Sequence, residues 1–193
     1  MSDTIAIPGF ADPVADSQRA FRAVLDAMGR PGRIAEIGDG LRAPPPIDAA
    51  TAAVALRLTD QETTVALEGA LRDAGPWLAF HAGVTLIDNP TRAQFVIAGK
   101  CPDLASLHDG TDEEPESSAT LILQVPGFGA GAGFRLSGPG LEKPAILRVQ
   151  GLPDDFAAAW QANHARYPRG IDIILCAGNR VAALPRSVSV EQV

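Results

Sequence analysis

The 193-residue chain reads as an α/β domain, a β-sheet covered on both faces, and three observations carry that reading. Short β-favouring runs are interspersed with helical patterns along its length. No internal repeat or low-complexity tract interrupts them. Near the C-terminus, Tyr167 to Ser187 (YPRGIDIILCAGNRVAALPRS) reads as a β-hairpin. Ile171, Ile173, Ile174 and Leu175 form one apolar run, Val181 to Leu184 a second, and Gly178-Asn179 a two-residue turn between them. These patterns leave the order of the strands open.

The elements follow in turn. Asp12-Pro13 starts a helix, with Asp as N-cap and Pro at the first helical position. Phe21, Val24, Leu25 and Met28 recur at helical spacing and are expected to face the core, with Arg19, Arg22 and Asp26 turned elsewhere. Gly29-Arg30-Pro31-Gly32 ends that helix, and Arg33 to Ile37 could form a short strand. Leu41 to Pro46 is a proline-stiffened connection to Asp48, which caps an alanine-rich helix through Leu58. Thr63 to Leu67, Val84 to Ile87, Gln94 to Ala98 and Leu121 to Val125 are strand-like, with a helix around Ala70 to His81 that Pro76 interrupts or starts. Ser106 to Ala119 is acidic and loop-like. Phe134 to Leu136 and Ile146 to Val149 add strands, and Asp154 to Tyr167 is a last helix with Phe156 and Trp160 on one face.

Composition narrows the function. A chain this long buries roughly 70% of its unfolded surface, enough for a core without disulfides or metals. Cys101 and Cys176 are isolated and read as reduced thiols. A net charge of -7 argues against nucleic-acid binding, which needs a concentrated basic face. The N-terminus has no secretory pattern, and no apolar run approaches the roughly 18 residues of a membrane span. A cytoplasmic protein is expected.

Candidate sites each have a plainer reading beside them. GFGAGAG (Gly127 to Gly133) could approach a phosphate, but strand-like sequence on both sides favours a flexible hairpin loop. Lys100 and Lys143 are the only lysines, and both lie in loop-like sequence unsuited to a Schiff base. His81 could carry a proton or contact a phosphate, or be tied to backbone at a helix end. His108-Asp109 lies in a turn, without metal-ligand spacing. Asp172 stands in an otherwise buried strand and needs a partner, for which Arg169, Arg180 and Arg186 are nearest in sequence. Arg169, Asp172 and Arg186 are therefore either a salt-bridge cluster or a ligand or partner site. No nucleophile with its base, no metal cluster and no phosphate cradle can be assembled, so no catalytic residue, cofactor or metal is assigned.

Several of these segments resemble one family. P-x-G-I-D-I-I-L from Pro168 and G-x-R-x-x-A-L-P-R from Gly178 resemble the C-terminal signature of the H subunit of the bacterial carbon-phosphorus lyase system, the PhnH family. FRAVLDAMGRPG (Phe21 to Gly32), TLILQV (Thr120 to Val125), Phe80-His81 and Gly110-Thr111 match it in the same order. The resemblance runs from about Asp12 to Val190, implying a single domain over 1–193 with 1–11 as an N-terminal extension. It implies a three-layer α/β/α sandwich with a mixed sheet, related to the large domain of pyridoxal-phosphate-dependent transferases but without the cofactor or its lysine. It also implies a homodimer in isolation, and binding to the I subunit in an assembly with G, J and K. With G, I and L such a subunit serves the step in which a phosphonate displaces adenine from ATP, giving ribose 1-phosphonate 5-triphosphate; an iron-sulfur radical subunit later breaks the carbon-phosphorus bond. The chain would then be a structural or substrate-organising subunit. A stand-alone transferase binding a nucleotide or phosphonate through Arg169, Asp172 and Arg186 is the alternative, and a plain scaffold without a ligand pocket is a third reading.

Overall fold

The computed structural model describes residues 5–193, so the first four residues of the N-terminal extension lie outside it. Helix α1 (Pro13–Gly29) begins as expected, with the Asp12 carboxylate accepting from the amides of Val14 and Ala15. Its buried face differs from the predicted stripe. Ala20, Val24 and Ala27 face inward, while Phe21 is 39% and Leu25 59% exposed. The reason lies opposite, where α1 rests on the alanine-rich α2 (Ala49–Leu58) and on β9 (Arg180–Leu184). Small side chains on both sides let the backbones approach, and the bulkier flank is left outside. The Arg57 guanidinium lies 4.6 Å from the centre of the Phe21 ring and covers part of it.

The main sheet has seven strands. β1 (Ala35–Glu36), β2 (Thr64–Leu67), β3 (Thr85–Leu86), β4 (Phe95–Ala98), β5 (Thr120–Gln124), β8 (Asp172–Ala177) and β9 are ordered β1-β9-β8-β5-β4-β2-β3. Neighbours from β3 to β8 run parallel; β9 returns antiparallel beside β8, and β1 pairs antiparallel with β9. The sheet is thus mixed, and the hairpin read from Gly178-Asn179 is present, with Ile173 opposite Leu184. A second, three-stranded antiparallel sheet, β10-β6-β7, consists of β6 (Phe128–Ser137), β7 (Ala145–Val149) and β10 (Ser189–Gln192).

The glycine run corrects an expectation. Phe128 to Gly133 belongs to β6 and not to a loop joining two paired strands, because β5 and β6 lie in different sheets. Both Phe128 and Ala132 face Val149 across a bulge, and a Cβ on Gly131 would fall 2.5 Å from the Val149 carbonyl oxygen. Gly131 thus serves close backbone approach within a strand, whereas a Cβ on Gly129 would meet nothing within 4 Å.

Alternation along the main sheet divides the core in two. Leu121 and Leu123 of β5 and Ile173 and Leu175 of β8 point to one face, and Ile122, Ile174 and Cys176 to the other. The second face is covered by α1, α2 and α3 (Gly75–Ala82), the last introduced by a 3-10 helix (Gly69–Ala74) and by Pro76 in its first turn, so this proline starts the helix. The first face is covered by α4 (Phe156–His164) together with the small sheet, so this layer is part helix and part strand. Phe156 meets Phe134 of β6 edge-on at 5.4 Å, and the Trp160 indole N–H donates to the Val188 carbonyl at 2.7 Å.

One buried polar contact locks α4 to the head of β8. The Asn163 side-chain amide donates to the Ile171 carbonyl (3.0 Å) and accepts from the Ile171 N–H (2.9 Å). Removing it strands two buried backbone groups. Asn163→Leu is therefore expected to lower the unfolding free energy by about 2–4 kcal/mol, read from denaturant midpoints with an unchanged slope. A midpoint equal to the parent's would show that water replaces the amide.

Candidate functional site

Asp172 is the first residue of β8, and Arg186 lies two positions beyond β9, so the antiparallel hairpin returns one to the other. The Asp172 carboxylate accepts from the Arg186 backbone N–H at 2.7 Å and from Nη2 at 2.7 Å, with Nε 3.3 Å from both oxygens. Nη1 donates to the Pro115 carbonyl at 2.8 Å. The Arg186 carbonyl is contacted by Nδ1 of His164 at 2.8 Å, which must donate there because the oxygen can only accept. Side-chain exposures of 14% and 18% place this pair largely out of water, and every nitrogen of the guanidinium is engaged within the protein. The pair acts as a clamp on four segments of chain, those of Asp172, Arg186, Pro115 and His164.

The other basic residues go elsewhere. Arg169 pairs with Asp112 at 3.1 Å on the surface, and Arg166 with Asp109 at 3.0 Å. Arg180 lies at the far end of the hairpin, over the Phe128 ring. His81 is not part of the cluster. It sits in the last turn of α3, with Nε2 3.0 Å from the Ile7 carbonyl, which also accepts from the Trp77 indole at 2.8 Å. Nε2 therefore carries the proton, and His81 helps fasten the N-terminal segment, whose Ile7 and Phe10 pack against the core. His164 was not singled out by sequence, and its only signal is its place one helix turn before the Tyr167-Pro168 exit.

Open parallel sheets bind ligands beyond the carboxyl ends of their strands, whereas the Asp172 clamp is at an amino end. Beyond the carboxyl ends of β5 and β8 the space is filled. Gln124, the last residue of β5, donates to the Pro46 carbonyl at 3.0 Å and accepts from the Asp48 N–H at 2.9 Å. The Asp48 carboxylate accepts from Thr51 and Gly178 amides at 2.8 and 2.7 Å. Beyond β2 and β4 the sheet is open, with a crevice of about 570 Å³ lined by Glu68, Gly69, Ala70, Leu71, Gly99 and Lys100. Among the described residues no group of three His, Cys, Asp or Glu side chains converges on a metal position, and no helix is long and apolar enough to cross a membrane.

The thiols are protonated and shielded. Burial, with the Asp155 and Asp103 carboxylates adding to it, pushes Cys101 up to about 12. Burial first and the Asp48 carboxylate second raise the Cys176 thiol well above its ordinary value. A raised value means less thiolate at a given pH, so alkylation of the folded chain should be slow at about pH 8 and still be climbing about tenfold per pH unit past pH 9. Mass spectrometry of iodoacetamide-treated protein checks this, and a rate that levels off near pH 9 would contradict it. Asp172→Ala should cost about 2–4 kcal/mol, since Arg186 would keep its buried charge without the carboxylate. Calorimetric or denaturant melts measure that loss; an unchanged transition would show that the pair is not a clamp.

A family model described as bacterial phosphonate metabolism protein (PhnH) matches residues 8–191. Alpha-D-ribose 1-methylphosphonate 5-triphosphate synthase subunit PhnH of Rhizobium meliloti (strain 1021) is 37% identical over 188 residues, covering 95% of this chain and 94% of that protein. A protein of Stutzerimonas stutzeri named "Putative C-P lyase subunit protein HtxG" is 31% identical over 174 residues, covering 90% of this chain and 85% of its own. The matched span includes both sheets, all four helices and the Asp172 clamp. By sequence and over nearly its full length, the chain belongs to the bacterial phosphonate metabolism protein (PhnH) family.

Proposed function

We propose that this chain is a non-autonomous subunit of the carbon-phosphorus lyase machinery for organic phosphonate catabolism, acting with partner subunits where ATP and a phosphonate give ribose 1-phosphonate 5-triphosphate. The observation that carries this reading is the end-to-end match to a relative named as a subunit of ribose 1-methylphosphonate 5-triphosphate synthase. The geometry supports it. The polar residues that sequence brings forward are spent on one another: Asp172 on Arg186, His164 on the Arg186 carbonyl, His81 on the Ile7 carbonyl. None of these side chains stands as a free base beside a nucleophile among the described residues. Val14, Phe21 and Leu25 leave an apolar flank of α1 uncovered, which suits a chain that works against others.

Within this reading the partners are the other subunits, I above all, with G, J, K and L, and the isolated chain is a cytoplasmic homodimer. Arg169 and Asp112 form a rim for partner contact, beside the half-buried Asp172 and Arg186. His81 contributes by fixing the N-terminal segment. The fold is that of the large domain of pyridoxal-phosphate-dependent transferases, used without the cofactor, and Lys100 and Lys143 are both exposed.

The experiment is reconstitution. The chain alone should not consume ATP with methylphosphonate, whereas leaving it out of a mixture of the G, H, I and L subunits should abolish adenine release, and adding it back should restore it. Chromatography of free adenine reads the result. Turnover by the isolated chain would favour a stand-alone transferase, and undiminished release without the chain would sink the subunit reading.

A further inference from the structure

β2 and β4 are adjacent and parallel, with Leu67 in register with Ile97, yet the chain leaves their carboxyl ends toward opposite faces of the sheet. From β2 it enters the 3-10 helix and α3, whose Leu71, Trp77 and Leu78 pack on the side of α1 and α2. From β4 it enters residues 99–119, whose Leu104, Leu107 and Ala119 pack on the side of α4 and the small sheet. Loops that part in this way leave a crevice between them, the topological switch point at which open α/β sheets take their ligands. The crevice of about 570 Å³ lies there.

Its chemistry is specific. Lys100 is exposed and has no ion-pair partner among the described residues, in a chain of net charge -7. Glu68 is half-buried at the cap position of the 3-10 helix, where its carboxylate makes no capping hydrogen bond. Gly69 and Gly99 keep the walls low, since a Cβ on Gly69 would meet nothing within 4 Å and one on Gly99 only Leu71 at 3.9 Å. Arg72, anchored through Nε on the Leu67 carbonyl at 3.0 Å, lines the adjoining hollow at the same strand end. A cation bonds phosphoryl oxygens, and an unengaged carboxylate accepts from sugar hydroxyls while repelling a phosphate placed beside it. The crevice thus offers a cation to an anionic group and an unengaged carboxylate to hydroxyls.

We infer that the crevice between the carboxyl ends of β2 and β4 binds a phosphorylated ribose, with the phosphoryl group on Lys100 and the hydroxyls on Glu68. The place of the site rests on topology alone, while the choice of ribose as the sugar rests on the function proposed above. Equilibrium dialysis of the full chain, alone and in the reconstituted complex, with ribose 5-phosphate, ATP and inorganic phosphate tests it. Saturable binding of ribose 5-phosphate or ATP is expected, and which of the two binds distinguishes a sugar phosphate from a nucleotide. Lys100→Ala should weaken binding about tenfold or more, the loss of one charge-assisted contact. Glu68→Gln should weaken the ribose ligands relative to inorganic phosphate, whose own binding it should not weaken. Gly99→Tyr, whose side chain has room to enter the crevice, should block them with an unchanged melting temperature. Absence of saturable binding in both chain and complex overturns the inference, as does binding that Lys100→Ala and Gly99→Tyr leave unaltered. Adenine release separates the two readings: a mixture that needs this chain but works fully with Gly99→Tyr loses the crevice and keeps the subunit role. Binding by a chain whose omission costs nothing does the reverse.

Discussion

A carboxylate at the head of a buried central strand must be paired, and much of the structure follows from how Asp172 meets that demand. Its partner, Arg186, lies beyond the end of the next strand, so the pairing joins the start of β8 to the exit of β9. The remaining guanidinium nitrogen then captures the Pro115 carbonyl, and the Arg186 carbonyl takes His164 from the end of α4. Each added bond satisfies a group that would otherwise be buried without a partner, so the elements are tied by necessity and not by area alone. Asn163, the residue before His164, repeats the device, anchoring α4 to Ile171 through both sides of its amide.

The opposite end of the same strands is organised by a different constraint. Asp48 caps α2 with one oxygen and holds the Gly178 amide with the other, and Gln124 reaches across to the loop that carries it. A single aspartate thereby couples the start of α2 to the turn of the hairpin, and its loop closes the sheet beyond β5. Its negative charge also helps keep the buried Cys176 thiol protonated. Helix capping, sheet closure and the chemistry of a core cysteine share one side chain.

Sequence conveyed what depends on near neighbours. Asp12-Pro13 and Asp48 start helices, Gly178-Asn179 turns a hairpin, and the isolated polarity of Asp172 announced a buried pair, because each of these is decided within a few residues. It did not convey what depends on the opposing surface. Of the apolar stripe Phe21, Val24, Leu25 and Met28, Val24 is buried and Met28 packs against the core, but Phe21 and Leu25 lie outward, since small residues on α2 and β9 decide which flank of α1 is buried. The glycine run has loop composition yet lies in β6, because strand β7 passes close beside it. The open end of the hairpin suggests Arg169 as a member of the Asp172 and Arg186 cluster, but Asp112, brought near by the fold, is the partner it meets.

Strand order is the main quantity that no local pattern supplies, and it decides where a ligand could lie. Gly69 and Gly99 stand 30 residues apart and come together only because β4 crosses back over β2 to take its other side. Along the sheet, then, the amino end of β8 is held by saturated bonds, and the carboxyl ends of β5 and β8 are closed by the Asp48 loop. Beyond β2 and β4 the topology leaves uncommitted charge beside open space. The residues that announce themselves in sequence are those whose burial demands partners, and for that reason they have the least chemistry left to offer a ligand. Glu68, which no sequence pattern marks, and Lys100, which sequence brings forward only to set aside as a Schiff-base lysine, keep theirs because the fold asks nothing of them.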